Sequence, residues 1–187
     1  SVDSADMARK GGNLLRMEIA GELGISEESG EGDFSWAVWD GDICPSQPAP
    51  VLFGAEGRLV AGAMRWGFPP YEGKGLLINA RAETILEKKT FRESARYRRC
   101  VLPARHFYEW NLSREKAVCY QAGRPTLYLA GCYDLKEGEN RFVVITTQAN
   151  ETLRKVHERM PLLIGEEELA GWRFDDEAAE VMLRRAP

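Results

Sequence analysis

A predicted strand that ends in polar residues occupies the middle of the chain, in the stretch Leu76-Leu-Ile-Asn-Ala-Arg-Ala-Glu83. The apolar run 76–78 follows a Gly-containing turn and predicts a buried strand. Because side chains alternate along a strand, Asn79, Arg81 and Glu83 share one face, and the alanines between them allow close packing on the other. An amide and an ion pair that merely end a strand would give the same pattern. Two later segments, 107–110 and 156–161, favour a functional site instead.

Short strands joined by turns surround this stretch and predict the fold class. Apolar runs predict further strands at 34–39, 51–53, 59–65, 100–103, 107–110, 118–121, 127–133, 142–147 and 161–164. Few helices are expected: 13–23 with Asn13 as its cap, 90–97 with a Thr90–Glu93 capping box, a short one capped by Asn150, and 166–172 and 176–185. Such an order is typical of an α+β fold that is mainly antiparallel and rich in β-strands. Residues 1–12 are expected to be a flexible lead-in or an expression remnant, and 13–187 a single domain.

The totals exclude several classes of protein. A chain of 187 residues, 44% of them apolar, buries roughly 70% of its unfolded surface and needs no metal or disulfide to fold. Its four cysteines are widely spaced without a Cys-x-x-Cys pair, which argues against a zinc ribbon, and two histidines are too few for a three-histidine zinc site. No apolar run approaches the ~18 residues of a membrane helix. We therefore expect a cytoplasmic protein with no membrane contact, no metal and no other cofactor.

Charge is distributed unevenly along a chain whose net charge is −4. The segment 81–105 holds eight basic residues against three acidic ones, whereas acids gather at 22–33 and 166–180. A basic zone on an acidic protein suggests a polyanion bound at one place. The alternative is a solvated helix face that carries ion pairs.

Three polar residues are candidates for chemistry: Asn79, Glu109 and His157. Glu109 lies in an aromatic strand, where burial would raise the pKa of its carboxyl and suit it to general acid or base catalysis; alternatively it faces outward, with Tyr108 and Trp110 inward. His157 is predicted on a short helix, either as a structural histidine or as an imidazole beside Arg159. Asn79 could donate an N–H to an oxygen. Together they suit proton transfer at a carbonyl or imine carbon, and no motif supplies a placed nucleophile.

Two proline-containing segments are expected at the surface or at a corner. The segment 41–50, which includes Pro45, should be an ordered loop. Trp66-Gly-Phe-Pro-Pro70, with two aromatic residues around a glycine and two prolines after them, should not continue a strand. It predicts either a folded-in corner or a rigid, exposed aromatic wedge.

The chain resembles the SOS response-associated peptidase (SRAP) family over about residues 40 to 172. The motifs that carry the resemblance are Arg65-Trp-Gly-Phe-Pro69, Ile78-Asn-Ala-Arg-Ala-Glu-Thr84, Phe91-Arg92, Arg98-Arg-Cys-Val-Leu-Pro103, Phe107-Tyr-Glu-Trp110, Thr146-Thr147, Ala149-Asn150 and His157-Glu-Arg-Met-Pro161. Asp42-Ile-Cys-Pro-Ser-Gln47 is similar to the family's Asn-Ile-Ala-Pro-Thr-Gln loop. These separate motifs occur in the family's order.

The resemblance implies a single β-rich, barrel-like domain with short peripheral helices that binds abasic sites in single-stranded DNA as a monomer. Family members expose an N-terminal cysteine by removing their own initiator Met, an autopeptidase step. The amine and thiol then condense with the opened sugar in a lyase-like reaction that gives a thiazolidine crosslink. By motif, Asn79 would hold the cysteine and the sugar, Glu109 would be the acid and base, and His157 would assist ring opening and imine formation. The DNA contacts carried over are Arg81 and Arg159 on phosphates, and Trp66, Phe68 and Pro45 as a wedge against bases.

The family's opening Cys-Gly-Arg is missing, because this chain begins Ser1-Val-Asp3 and its first cysteine is Cys44. We expect that the native start precedes the printed chain; the alternative is a non-catalytic single-stranded DNA binding module that lacks the nucleophile. The α-amine of Ser1 could form only a reversible imine. A hydrolase that uses Cys44 and His157 is a third interpretation, although a loop thiol without a basic neighbour should keep a pKa near ~8.5. His106, where the family commonly has glycine, is a second departure.

Overall fold

Five strands close into a barrel in the computed structural model of the chain, which describes residues 13–14, 42–111, 113–124 and 126–185. The strands are β1 (Asn13–Leu14), β2 (Asp42–Ile43), β3 (Pro48–Ala55), β4 (Arg58–Trp66), β5 (Asn79–Arg81), β6 (Arg99–Ala104), β7 (Phe107–Trp110), β8 (Lys116–Cys119), β9 (Leu127–Lys136), β10 (Glu139–Gln148), β11 (Arg159–Pro161) and β12 (Leu163–Ile164). The helices are α1 (Arg92–Tyr97), α2 (Leu169–Phe174) and α3 (Asp176–Arg184), with 3₁₀ turns at Leu153–Lys155 and Glu166–Glu168.

Closure follows from the pairing of β10 on both of its sides. β10 runs antiparallel to β9, and its residues Arg141 and Phe142 pair in parallel with Arg65 and Trp66 of β4. The circuit continues through the antiparallel pairs β4–β3, β3–β6 and β6–β9. This arrangement confirms the prediction of a β-rich α+β fold that is barrel-like and mainly antiparallel.

Alternate apolar residues of the five strands fill the barrel. Val51, Met64, Leu102, Leu129 and Phe142 each come from a different strand and belong to one buried cluster. This period of two is what a sheet with one face on the core requires. The interior is tight beside Gly131, where a Cβ would come within 2.9 Å of the Val143 carbonyl oxygen and 3.1 Å of the Cys100 sulfur. A larger residue at this position would force the two strands apart.

The helices cover the outer surface of the barrel on one side. Trp172 of α2 is fully buried, and its indole N–H donates to the Cys100 carbonyl oxygen at 3.0 Å. Met182 and Leu183 of α3 pack into the same cluster with Ile164 of β12 and with Leu162, which lies between β11 and β12. The helices and the last strands thus form one layer against the outer surface of the barrel.

Arg99 links the three helices from within the protein. Its side chain is 4% exposed, although it carries a charge. The guanidinium donates to the carbonyl oxygens of Ala95 and Arg96 in α1, to that of Trp172 in α2 at 2.6 Å, and to the Asp176 carboxylate at the start of α3 at 2.7 Å. A buried charge of this kind is stable only when its N–H groups are satisfied, and here acceptors from all three helices satisfy them.

Several local predictions differ from the structure. Asn13 begins strand β1, which pairs with β2, so the expected helix cap at this residue is wrong. Helix α1 begins at Arg92 with Phe91 as its N-cap and no side-chain cap, so the Thr90 capping box is wrong. The short helix expected after Asn150 is a 3₁₀ turn whose N-cap is Thr152, although the Asn150 Oδ1 atom accepts from the Leu153 amide at 3.0 Å.

Other predictions concern segments outside the described residues. These are the remainder of the 13–23 helix, the 34–39 strand and the 1–12 lead-in, so the division of the chain into a lead-in and one domain stays a prediction. Within the described part of the chain, no helix has the length and apolar character needed to cross a bilayer.

Candidate functional site

The short strand β5 brings Asn79 and Arg81 to one end of the barrel. β5 pairs in parallel with β10, so that Asn79 lies beside Val144 and Arg81 beside Thr146. Val144 belongs to the barrel interior, and paired residues share a face, so both polar residues extend the interior face beyond the core. Asn79 and Arg81 are exposed, and Ala80 between them is buried. The alternation expected from the sequence is therefore present.

Arg159 reaches across β10 from the opposite flank. It lies on β11, opposite Gln148. Its guanidinium donates to both oxygens of Glu83, at 2.7 and 2.9 Å, and to the Thr146 carbonyl oxygen at 2.7 Å. The Arg159 hydrogen bond lowers the pKa of the Glu83 carboxyl, with burial opposing it. These bonds to Glu83 and Thr146 fix the orientation of the Arg159 guanidinium at this end of the barrel.

The side chains of Glu109 and His157 lie close together, although 48 residues separate them in the sequence. The Glu109 Oε2 atom lies 3.7 Å from His157 Nδ1. The Glu109 side chain is 23% exposed, and burial raises the pKa of its carboxyl, while the imidazole lowers it by less. A carboxyl with these surroundings keeps its proton to higher pH than an ordinary glutamate and can donate it.

The Glu109 side chain points toward the interior of the protein. The alternative orientation, with Glu109 outward and Tyr108 and Trp110 inward, does not occur. On the same face of β7, Phe107 is buried opposite Cys119 of β8. The proximity of Glu109 also contributes to the raised pKa of Cys119, about 11, for which burial is the main cause. Tyr108 and Trp110 lie on the other face of the hairpin.

His157 lies in a turn after the 3₁₀ segment, where a helix was predicted. Its Nδ1 atom is 3.1 Å from the Arg159 amide, which can donate to the neutral ring, and 3.0 Å from the Arg159 carbonyl oxygen, which can accept from the protonated ring. The ring is half-exposed. The Arg159 backbone therefore offers this ring nitrogen both a donor and an acceptor.

A sequence profile described as SOS response associated peptidase (SRAP) matches residues 17–185. The chain belongs to the SRAP family. It is similar to two Bacillus subtilis (strain 168) proteins called abasic site processing protein: YoqW is 31% identical over 171 residues, covering 83% of this chain and 74% of that one, and YoaM is 32% identical over 147 residues, covering 70% and 64%. A crystal structure of a Bordetella bronchiseptica protein matches with a TM-score of 0.74 at 20% identity over 95% of this chain and 94% of that one. This last likeness shows the fold alone.

In this SRAP domain, Trp66 and Phe68 form a folded-in corner. Trp66 is 7% exposed, stacks on Phe142 and donates its indole N–H to the Ile78 carbonyl oxygen at 3.0 Å. Phe68 is fully buried and packs against Phe91. The structure therefore favours the corner over the exposed wedge for both rings, because neither presents a face on which a base could stack.

Pro45 is the part of the predicted wedge that reaches the SRAP surface. It is half-buried in the loop between β2 and β3. Two bonds of the neighbouring Ser46 hold this loop: its amide donates to the Trp66 carbonyl oxygen at 2.8 Å, and its carbonyl oxygen accepts from Arg65 at 2.7 Å. Ser46 has φ 73°, a strained value that the two bonds maintain.

The four thiols of this SRAP chain lack the surroundings of a nucleophile. Burial and then Asp42 raise the pKa of Cys44, and nearby Lys116 lowers it by less. Cys100, Cys119 and Cys132 are buried, with a pKa of about 12 for Cys132. Reactive cysteines have lowered pKa values, so the interpretation that uses Cys44 and His157 as a hydrolase finds no support. Among the residues described, no three His, Cys, Asp or Glu side chains could jointly hold a metal ion.

From the sequence no role was assigned to Thr146 in the site, nor to Lys116 on the neighbouring hairpin. Thr146 accepts from Arg159 through both its carbonyl and its hydroxyl oxygen. Lys116 places its ammonium 3.5 Å above the Tyr108 ring. Both residues lie in ordinary polar runs, Thr146-Thr-Gln148 and Ser113-Arg-Glu-Lys116, which do not single them out. The position of Lys116 opposite Trp110 is set by the register of β7 with β8.

Proposed function

We propose that this chain binds abasic sites in single-stranded DNA and processes them, with Glu109 and His157 as its proton-transferring pair. The observation that carries the proposal is the 3.7 Å approach of the Glu109 carboxyl to the His157 imidazole beside Arg159. The names of the Bacillus subtilis relatives, abasic site processing proteins, support the substrate.

The chemistry that these two groups suit is condensation at an aldehyde. An abasic sugar in its open form carries an aldehyde, and an amine that attacks it must lose a proton while the departing oxygen gains one. Burial raises the pKa of Glu109, which suits this carboxyl to donate a proton to that oxygen, and the His157 imidazole accepts a proton during ring opening. Asn79 donates an amide N–H to the sugar or to the attacking group and does not itself titrate.

The basic side chains around this pair suit the DNA backbone. Arg81 is exposed beside Thr146, and Arg159 is held in a fixed orientation by Glu83 and Thr146. Both are proposed to contact phosphates that flank the lesion. Pro45 is proposed to lie against a base next to the lesion, with Trp66 and Phe68 supporting it from behind rather than stacking on DNA themselves.

The covalent step requires an N-terminal cysteine, exposed when the protein removes its own initiator Met. Its α-amine condenses with the aldehyde and releases water to give an imine; the thiol then adds across the C=N bond, and its proton moves to the nitrogen, which closes a thiazolidine ring. Strand β1 supports this arrangement, because it pairs with β2 next to the Pro45 loop and so brings the N-terminal part of the chain toward the site.

A denaturing gel tests the covalent step. The printed chain and a version preceded by Met-Cys-Gly-Arg are each incubated with single-stranded DNA that contains one abasic site. We expect a stable shifted band for the extended protein alone, and its loss when the added cysteine is replaced by serine. A band of equal intensity for the printed chain would contradict the assignment of the nucleophile to an N-terminal cysteine.

A second candidate function is binding without crosslinking. The raised pKa values of the thiols favour it for a chain without an added cysteine, because no described thiol is activated. If neither version gives a band but both bind abasic DNA in a native gel, the binding function is supported and the covalent one is rejected.

A further inference from the structure

The β7–β8 hairpin has two chemically different faces. Its inner face carries Glu109 at the candidate site. On the outer face, Tyr108 lies opposite Val118 and Trp110 opposite Lys116, as the antiparallel register requires. Tyr120 follows β8 and continues the same alternation. One hairpin thus presents a carboxyl to the site and a row of aromatic, aliphatic and cationic side chains to solvent.

Two large hydrophobic side chains of the outer face are exposed to solvent. Tyr120 is 74% exposed and Val118 52% exposed. Among the described residues, β8 pairs only with β7, so it is an edge strand of a two-stranded sheet. Neighbouring exposed aromatic and aliphatic side chains are typical of a contact surface.

Cations surround these apolar groups. The Lys116 ammonium lies 3.5 Å above the Tyr108 ring and 5.9 Å from the Trp110 ring centroid. Tyr108 is itself fixed, since its hydroxyl donates to Asp42 at 3.2 Å and lies 3.0 Å from His106 Nε2. Arg105 and Arg114 are exposed at the two ends of β7. The hairpin therefore offers positive charge at both ends of its aromatic row, on a protein of net negative charge.

We propose that this outer face is a base-stacking platform for the single-stranded DNA that leaves the candidate site. A base stacks on Tyr120 and packs against Val118, while Lys116 contacts the phosphate between that base and the lesion. Aromatic rings beside cations are the combination that binds single strands without sequence preference. The inference rests on the proposed function, and the position of Glu109 on the other face of the same hairpin connects the two surfaces.

The test uses single-stranded oligodeoxythymidine with a tetrahydrofuran abasic analogue and one 2-aminopurine, moved stepwise along either side of the analogue. Fluorescence of this base falls when it stacks on an aromatic ring. We expect quenching at one or two adjacent positions with the wild-type chain, its loss with Tyr120→Ser, and an affinity about tenfold lower. Lys116→Gln should reduce the salt slope of binding by about 0.7, as expected when one phosphate contact is lost.

Matched controls are available on the helices. Tyr97→Ser and Val181→Ser replace exposed residues of α1 and α3, and both should bind as the wild type does. Equal affinity and equal quenching for wild type and Tyr120→Ser would overturn the inference and leave the proposed function intact. A change in sedimentation of Tyr120→Ser with unaltered DNA binding would also overturn it, because the face would then serve contact between protein chains. Failure of the wild-type chain to bind any of these oligonucleotides would overturn the proposed function as well.

Discussion

Two glutamates near the same end of the barrel have pKa values shifted in opposite directions. Glu83 receives two hydrogen bonds from Arg159, at 2.7 and 2.9 Å, and this pairing lowers its pKa. Glu109 has the half-exposed imidazole of His157 as its neighbour at 3.7 Å, and burial raises the pKa of Glu109. Glu83 therefore loses its proton more readily than an ordinary glutamate, and Glu109 less readily.

The difference comes from the partner and the burial, not from the residue type. A guanidinium is permanently charged and binds a carboxylate through two parallel bonds, so it stabilises the ionised form. An imidazole is charged only when protonated, and at 3.7 Å it makes no direct hydrogen bond. The comparison teaches that Glu83 acts as a fixed counter-ion that orients Arg159, whereas Glu109 is the group suited to proton transfer.

The largest expected effect comes from replacing Glu109, the carboxyl proposed to transfer a proton. In the form with an N-terminal cysteine, Glu109→Gln should slow crosslinking to abasic single-stranded DNA by about 100- to 10,000-fold, because the amide cannot donate or accept the proton. Affinity for the same DNA should remain nearly unchanged. Quenched time courses on a denaturing gel give the rate, and fluorescence anisotropy gives the affinity.

Glu115→Gln is the matched control, because it removes an exposed carboxylate that lies on the same hairpin. It should crosslink at the wild-type rate. If Glu109→Gln retains that rate too, then Glu109 merely packs against the site. The opposite pKa shifts of Glu109 and Glu83 would then have no role in crosslinking.

A smaller effect, on DNA binding, is expected from replacing Arg159, which Glu83 orients, or Arg81. Arg159→Gln and Arg81→Gln should each weaken DNA binding and reduce the salt slope by about 0.7, the value expected for one phosphate contact on a single strand. Arg184→Gln, which changes an exposed arginine paired with Glu180 on α3, serves as the control. An unaltered slope for Arg159→Gln would mean that this arginine serves only Glu83 and Thr146.

The smallest effect is on stability and should have opposite signs at the two carboxyls. A raised native pKa means that wild type loses stability as pH rises from the unfolded value of about 4.3 through the native pKa of Glu109, so Glu109→Gln should have the higher Tm at pH 7. A lowered native pKa means that the Glu83 contribution is present above the unfolded value and is lost as pH falls through the native one. Glu83→Gln should therefore have a Tm lower by about 1 to 4 °C at pH 7, as for a largely exposed ion pair, and no deficit in acid.

Scanning calorimetry from pH 3 to pH 8 measures both differences. The two curves should diverge as the pH rises. Changes of the same sign at pH 7 would show that the contrast between the two carboxyls does not extend to the free energy of folding.

Local patterns in the sequence were enough to predict most strands and the face on which Asn79 and Arg81 lie. Alternation and turn residues are short-range properties, and the sheet preserves them in β4, β6, β9 and β10. The conformation around His157 was not predictable in this way, because the Leu153–His157 turn depends on pairing of the next strand with β10. The burial of Phe68 likewise depends on packing against Phe91, a residue that is distant from it in the sequence.

Charge counting along the sequence overstated the basic surface. Of the eight basic residues in 81–105, Arg98 pairs with Asp134 at 3.4 Å, and Arg99 is buried. The remaining six are exposed. A count cannot distinguish a cation that faces solvent from one whose N–H groups are used inside the protein, because burial depends on packing between distant segments.

The buried guanidinium of Arg99 has a consequence for how the protein can adapt to a ligand. Any tilt of one helix relative to the others would leave N–H groups without acceptors in the interior, at about 1–3 kcal/mol for each group. The three helices must therefore shift together or not at all. Adjustment to a bent or bulky nucleic acid falls instead to elements that Arg99 does not contact, the Pro45 loop and the hairpin that carries Glu109.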